Sequence, residues 1–354
     1  MERPIIDSHW HLYICEDEQG RDFCEVMDAL QKQYGLKALN ICSIPIYQEL
    51  GPAQNLLAAL YKLHNPTAYA YGGIVYPTKP FQKPMPPEMD PLSQYRELMQ
   101  IGFDGIKMLE TKPLEQKQYG ILIDDEYFDG LFAACEQDAT PMIWHVADPS
   151  TFWDLQRIPE RFLQRGWFYG DGTYMSHEEI YGQVYRVLER HPRLKATFAH
   201  FFFLSENPEQ LEKLFETYAG ISIDITPGAE MYGDFRENRD AWRDFFIRYA
   251  DRIMLGTDTS VNGGNMDRFY QRYEAVRDFL TTDREVTVIT ETCRGLALPP
   301  DICDKILCQN FEAAAGKTPK PVDTNALKRY VEKYLHLITD KKLSRYIQDA
   351  LRDY

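Results

Sequence analysis

Short apolar runs alternate with longer amphipathic segments along most of the chain. Eight runs have the length and the β-branched or aromatic content of strands: 4–9, 37–44, 68–75, 103–109, 140–146, 195–200, 221–226 and 252–258. The intervals between them have room for helices with apolar residues at helical spacing. Eight strand–helix repeats predict an α/β fold in which parallel strands close into a (β/α)8 TIM barrel.

Three segments fall outside this repeat. The run 285–290 is a ninth strand-like piece, which we expect as an excursion after the last barrel strand. Residues 147 to about 176 form an aromatic and arginine-rich insertion after strand five, longer than a tight turn requires, which predicts a lid or specificity element. After a Pro/Gly linker at 315–323, apolar residues again follow helical spacing.

These boundaries predict two units. We expect a barrel at 1–316 and a C-terminal amphipathic helical extension at 317–354. The extension either packs on its own barrel or covers a second subunit, and the second alternative predicts a homodimer.

Composition and charge narrow the partners and the compartment. A formal net charge of −15 argues against nucleic acid or an anionic membrane, because phosphate binding needs a basic face. No apolar run approaches the roughly 18 residues that span a bilayer, and we expect no signal peptide. The seven cysteines form no Cys-x-x-Cys pair and are expected to be free thiols. We therefore expect a cytoplasmic protein that acts on a small molecule.

Histidines end several of the predicted strands. His9 and His11 lie two residues apart in the first run, so their side chains share one face. Paired imidazoles are costly in a core but serve well as ligands of divalent metals. The fifth, sixth and eighth runs end in His145, His200 and Asp258. These five side chains are expected to converge at the C-terminal ends of the barrel strands, where TIM-barrel enzymes carry their chemistry.

The order His-x-His, His, His, Asp on strands one, five, six and eight resembles the amidohydrolase superfamily. Within it, the chain is most similar to the amidohydrolase-2 branch of metal-dependent hydrolases and non-oxidative decarboxylases. The landmarks are "IIDSHWH", "PMIWH", "LKATFAH", "IMLGTDTS" and "KILCQNFEAAAG", which span residues 5 to about 316.

The resemblance implies a ligand set and a cofactor. His9, His11, His145 and Asp258 would bind one divalent metal, zinc in the first place with manganese as the alternative, and no second metal is expected. Asp258 would also take the proton of a metal-bound water. His200 would polarise the substrate or share the proton transfer.

Three further residues are candidates for substrate binding. Lys107, near the end of strand four, has three interpretations: a carboxylated lysine that bridges two metals, a cation for a substrate carboxylate, or one half of a salt bridge with Glu110 as a candidate partner. Trp153 and Arg157 lie in the insertion that begins right behind His145, where they could cover the metal. An arginine there would suit the planar carboxylate of a substrate. The alternative for Trp153 is simple packing of the insertion onto the barrel.

Three functions remain open from the sequence. The first is a metal-dependent hydrolase, in which a metal-bound water attacks a lactone, amide or ester carbonyl of a small carboxylated substrate. The second is a metal-dependent decarboxylase that acts on a hydroxy-acid without oxidation. The third is a barrel without catalysis that only binds, and the complete ligand set argues against it.

Overall fold

The computed structural model describes residues 3–13, 21–46, 50–76, 80, 86–228, 230–261 and 266–353. Its strands are β1 Ile6–Leu12, β2 Ala38–Cys42, β3 Tyr69–Gly72, β4 Gly105–Thr111, β5 Met142–Val146, β6 Ala196–Phe198, β7 Ile221–Asp224, β8 Ile253–Met254, β9 Thr259–Val261, β10 Glu285–Val288 and β11 Glu291–Arg294. Its helices are α1 Phe23–Gln33, α2 Ala53–His64, α3 Pro91–Ile101, α4 Pro113–Tyr119, α5 Asp129–Gln137, α6 Glu160–Leu163, α7 His177–Arg190, α8 Pro208–Thr217, α9 Met231–Glu237, α10 Arg239–Arg248, α11 Met266–Thr281, α12 Pro300–Asp304, α13 Asn310–Ala315, α14 Thr324–Tyr334 and α15 Lys341–Ala350.

A divided eighth strand closes the barrel. Hydrogen bonding runs in the order β8-β7-β6-β5-β4-β3-β2-β1-β9, and each of these pairs is parallel. Because β8 pairs with β7 and β9 pairs with β1, the two short pieces on either side of residues 255–258 complete the ring. Within the gap, the Ser8 N–H donates to the Leu255 carbonyl at 3.0 Å. The predicted (β/α)8 barrel is confirmed, and Asp258 lies where its last strand is interrupted.

The barrel strands are buried on both faces, as parallel strands between helices and a barrel interior must be. Successive residues alternate as predicted: His9 and His11 point inward, while the buried Trp10 ring lies outside, 6.1 Å from Tyr34 at the end of α1. Phe311 of α13 packs edge-on against Tyr69 of β3 at 5.0 Å. This packing fills the barrel interior and leaves the C-terminal ends of the strands open for chemistry.

Two of the three additional segments lie outside the barrel sheet. The run 285–290 contributes β10, which pairs with β11 as an antiparallel hairpin outside the barrel sheet, as expected. The C-terminal extension packs on its own barrel through α14 and α15, and Asn55 of α2 donates to the Tyr330 hydroxyl at 2.9 Å.

Among the helices that the structure describes, none is both long and apolar enough to cross a membrane. Six cysteines are described and all are free, whereas Cys15 lies outside the described residues.

Candidate metal centre and substrate cavity

Three side chains at the C-terminal end of the barrel direct potential metal-ligating atoms to one point. His9, His11 and Asp258 each offer an atom, and these atoms all lie within 4.8 Å of one another. The Asp258 Oδ1 atom is 3.2 Å from His11 Nε2 and 4.0 Å from His9 Nε2. Bonds of about 2.1 Å in a tetrahedral zinc site separate neighbouring ligand atoms by roughly 3.4 Å. The donor set and its spacing therefore fit one divalent metal.

The opposite ring nitrogens of both histidines are already bonded. His9 Nδ1 lies 2.9 Å from Asp224 Oδ2 at the end of β7, and His11 Nδ1 lies 2.7 Å from the Cys42 carbonyl oxygen on β2. Both contacts favour the tautomer protonated at Nδ1, which leaves the Nε2 lone pair free to bind a metal. The two rings are thus held in the orientation that faces Asp258.

His145 and His200 continue a row of imidazoles across the barrel mouth. His145 Nε2 lies 2.9 Å from the Ala147 carbonyl oxygen, so Nδ1 is the nitrogen left for a ligand. The ring centroids of His145 and His200 are 4.8 Å apart, and those of His200 and His9 are 5.8 Å apart. His145 lies outside the group formed by His9, His11 and Asp258. Its role as a fourth ligand stays a prediction.

An unusual backbone turn presents His200. His200 and the three phenylalanines after it have φ between 49° and 59°, in the left-handed region that costs non-glycine residues about 1–2 kcal/mol each. Asp224 Oδ1 accepts the His200 N–H at 2.9 Å. Phe201 packs against Trp242 at 5.5 Å, and Phe202 stacks on Phe198 at 4.0 Å. The aromatic packing and the hydrogen bond offset the strain and fix the position of His200.

Burial sets the protonation of the imidazoles. Burial, followed by the charge of Lys107, lowers the pKa of His9 to about 4. Burial likewise lowers the pKa of His145 to about 4 and that of His200 to about 3. All three rings are therefore neutral at neutral pH, which is the form that binds metal or accepts a proton.

Asp258 carries the opposite charge state. Burial raises its pKa, but the adjacent imidazoles of His11, His9 and His200 outweigh burial and hold the pKa well below its usual range. Its side chain keeps 37% of its surface exposed, on the side of the cavity. An ionised, accessible carboxylate at this place is suited both to binding a cation and to accepting a proton.

Lys107 of β4 lines the same cavity as His9, His11 and Asp258, and its buried amine forms no ion pair within the described residues. It is 2% exposed, its Nζ atom has no hydrogen-bond partner among the residues described, and burial lowers its pKa. Glu110, the candidate partner, accepts instead from the Tyr76 hydroxyl at 3.1 Å and from the Leu109 N–H at 2.8 Å. The geometry therefore does not support the salt-bridge interpretation and leaves the other two open.

A cavity of about 350 Å³ extends from His9, His11 and Asp258 to the surface. Its basic side chains are Lys107, Lys112, Arg161, Arg165 and Arg272, and its apolar wall includes Leu109, Phe152, Phe162, Trp167, Phe203 and Ile289. Lys112 is neutralised by Asp148, whose two oxygens lie 2.8 and 2.9 Å from Nζ. The size and the mixture of apolar wall and few charges are those of a small-molecule site.

The structure places two predicted substrate-binding residues outside the cavity lining. Trp153 donates from Nε1 to the Met175 carbonyl at 2.9 Å and packs on Tyr169, as in the packing interpretation. Arg157 is half exposed and pairs with Glu206 at 2.6 Å, away from the cavity. Their substrate contacts stay predictions that this geometry does not support.

Two other arginines of the insertion line the cavity instead. They are Arg161 of α6 and Arg165, which follows that helix. Sequence reasoning also missed Asp224, which lies inside the apolar run 221–226 and is the last residue of β7. The composition of the insertion predicted a specificity element, but it did not say which arginine faces inward.

Comparisons with known proteins support the fold. No protein-family model matches the chain, and no curated protein matches it either. An uncharacterized TIM-barrel protein from Bordetella bronchiseptica is 16% identical, with 89% of this chain and 100% of that chain covered and a TM-score of 0.53. A structure of 2,6-dihydroxybenzoate decarboxylase with 2,6-dihydroxybenzoate is 13% identical, with 88% and 99% covered and a TM-score of 0.53. A structure of 4-oxalomesaconate hydratase from Rhodopseudomonas palustris is 13% identical, with 94% of this chain and 99% of that chain covered and a TM-score of 0.50. At these identities the likeness shows the TIM-barrel fold.

Proposed function

We propose that this chain is a metal-dependent enzyme of the amidohydrolase superfamily, and that it hydrolyses a lactone, amide or ester bond in a small carboxylated substrate. One observation carries the proposal: His9 and His11 aim their free Nε2 atoms at Asp258 at the base of a cavity, while partners fix their Nδ1 atoms. The fold likeness to solved enzymes and the family landmarks in the sequence are consistent with it.

The residues present would divide the work as follows. His9, His11 and Asp258, with His145 as the fourth ligand, would hold one divalent ion, zinc in the first place and manganese as the alternative. A bound ion of this kind supplies Lewis acidity that lowers the pKa of a coordinated water. Asp258 accepts a proton from water and returns it to the leaving group, because it is ionised and open to the cavity.

His200 and Lys107 act on the substrate. The neutral His200 has a buried Nδ1 without a partner in the described part of the chain, so it can bond to the carbonyl or share the proton transfer. Lys107 lines the same cavity, and a substrate carboxylate would give its unpartnered amine the neutralising contact that the protein does not. This contact is our reason for proposing a carboxylated substrate.

Non-oxidative decarboxylation of a hydroxy-acid is the second candidate. It is favoured by the fold shared with 2,6-dihydroxybenzoate decarboxylase and by the apolar wall beside the ligand group, which would accept an aromatic ring. The ligand set serves either reaction. The cytoplasmic location, the homodimer and the exclusion of nucleic acid and membrane partners stay predictions from the sequence.

Elemental analysis of the purified protein tests the metal site. We expect about one zinc or manganese per chain, lost in His9→Ala and in Asp258→Ala. His64→Ala is the matched control, because His64 also pairs with an aspartate, Asp28 at 2.7 Å, but lies on the surface of α2. About two metals per chain would favour the carboxylated form of Lys107. A protein that holds no metal and takes up none would contradict the proposal.

A substrate panel separates the two reactions. Carboxylated lactones, amides and esters are followed by acid release, and aromatic hydroxy-acids by carbon dioxide release. Acid release that disappears in Asp258→Ala supports hydrolysis. Carbon dioxide release without hydrolysis of any member of the panel would replace the first candidate by the second.

A further inference from the structure

The tip of the β10–β11 hairpin reaches the cavity. Val288 pairs with Glu291, so the hairpin turns through two residues, Ile289 and Thr290, and both line the cavity. This is the strand-like run that did not fit the barrel repeat. The excursion therefore adds a wall to the site that the barrel itself does not supply.

The backbone of Ile289 is unfavourable for its side chain. Its φ is +59°, and a two-residue hairpin turn with positive φ at its first position normally has glycine there. A β-branched residue in this region is an outlier that costs about 1–3 kcal/mol. Burial does not compensate, because Ile289 keeps 41% of its surface exposed. Neither local backbone preference nor core packing accounts for an isoleucine at this position.

Contacts on both sides hold the tip in place. Arg161 of α6 donates from Nη1 to Thr290 Oγ1 at 2.5 Å, which joins the insertion after β5 to the hairpin after β9. Arg236 of α9 donates to the Thr292 carbonyl at 3.3 Å behind the tip. The isoleucine is therefore presented to the cavity by a supported element and not by a free loop end.

We infer that Ile289 determines specificity: it covers the apolar body of a substrate whose carboxylate and reacting carbonyl lie deeper, at Lys107 and the metal-ligating group. The inference rests on the proposed function. The apolar lining on the metal side, Leu109 and Phe203, would contact the same body, so the substrate class is a carboxylic acid with an aromatic or branched apolar body. A ligand of this kind buries the exposed surface of Ile289. The free energy of that burial offsets the cost of the strained backbone when the ligand is bound.

Calorimetry with two probes tests this on the zinc-loaded full chain. Benzoate presents a carboxylate with an apolar ring, and acetate presents the carboxylate alone. We expect wild type to bind benzoate more tightly than acetate. Ile289→Gly should weaken benzoate binding about five- to tenfold and leave acetate binding unchanged, while its Tm stays equal or rises because glycine accepts the positive φ. Ile289→Asn should act alike, because asparagine tolerates this backbone region but is polar.

Leu155→Ala is the control. Leu155 is 60% exposed, lies on the insertion and does not line the cavity, so benzoate binding should not change. Equal benzoate affinity in wild type and both Ile289 variants overturns the inference. A lower Tm with loss of zinc in Ile289→Gly assigns the residue a structural role and also overturns it. A wild type that holds zinc but binds benzoate no better than acetate contradicts the inference alone, whereas a wild type without zinc contradicts the proposed function.

Discussion

The floor and the rim of the cavity are built in opposite ways. The floor consists of His9, His11, His200 and Asp258, which lie at strand ends and are tied by hydrogen bonds to neighbouring strands. The rim consists of Arg161, Arg165, Ile289 and Thr290, which come from the insertion and the hairpin. The floor is fixed by the barrel itself, while the rim is fixed by two additions that meet across its mouth.

The difference separates two tasks. Metal binding needs several atoms at defined distances, and strands joined in one closed sheet supply that precision. Substrate selection needs a surface that can vary without disturbing those distances, and loops supply that freedom. A substitution in the floor should therefore change metal content and activity together, and one in the rim should change substrate preference without changing metal content.

Apart from substitutions of the proposed metal ligands, we expect the largest effect on zinc affinity for Asp224→Asn. Asp224 contacts both His9 Nδ1 and the His200 N–H, so its charge orients one ring and its position fixes another. Removing the charge should lower zinc affinity about 10- to 100-fold, measured by competition with a chelator. Asp28→Asn, which alters the surface pair with His64, should leave zinc affinity unchanged. Unchanged affinity in Asp224→Asn would show that the ligand rings need no such support.

Lys107→Met should separate binding from stability. It removes a buried amine that has no hydrogen-bond partner among the described residues, so the Tm should rise while benzoate affinity falls by about tenfold or more. Lys62→Met is the contrast, because Lys62 is equally buried but bonded to Asp104 at 2.5 Å, and breaking such a pair costs about 3–5 kcal/mol. A falling Tm in Lys107→Met would show that the amine has a stabilising role in the free protein.

A pH-dependent effect is expected at Glu230, the residue that precedes α9. Both its carboxylate oxygens are buried without a partner in the described chain, and burial, followed by the charge of Asp234, raises its pKa from 4.5 to about 8. A raised pKa means that folding favours the protonated form, so stability is lost as the pH rises from about 4.5 towards 8. The Tm of Glu230→Gln should fall less over this range than that of wild type. Glu332→Gln, at an exposed position on α14, should follow wild type.

The smallest effect is expected for Thr290→Val at the rim. It removes the hydroxyl that accepts from Arg161 and keeps the side-chain shape, so stability should fall by about 1 kcal/mol or less, with zinc content unchanged. Benzoate affinity should fall only a few-fold. Thr287→Val on the same hairpin, which loses a contact to Thr292 at 3.0 Å outside the cavity lining, is the matched control. A loss of zinc in Thr290→Val would show that floor and rim are not independent.

The sequence predicted the floor better than the rim, for a physical reason. Strand side chains alternate with period two and parallel strands end at one edge, so the sequence places His9 and His11 on one face and Asp258 at the same end of the barrel. The insertion has no comparable period. Arg157 and Arg161 lie four residues apart, yet Arg157 pairs with Glu206 and Arg161 faces the cavity, because α6 begins between them. Composition predicted that an arginine would matter, but only three-dimensional packing decides which one.

The divided eighth strand and the turn at His200 were beyond sequence reasoning for another reason. Both place non-glycine residues at positive φ, and phenylalanine gives no local signal for such a backbone. Tertiary contacts, such as the bond from the His200 N–H to Asp224, hold these conformations in the folded protein. Features of this kind are set by the whole fold and are not visible in any short window of the chain.

The left-handed turn after β6 has a consequence for how this site can change over time. Phe201 lies between Phe235 of α9 and Trp242 of α10, at 5.0 and 5.5 Å, and the preceding residue of the same turn is His200. A substitution that loosens this aromatic cluster would let the turn relax and move an imidazole at the mouth of the barrel. A substitution in α9 or α10 could therefore change the site, although no residue of these two helices lines the cavity. A mutant library restricted to cavity-lining positions would omit Phe201, Phe235 and Trp242, whose packing holds the turn that positions His200.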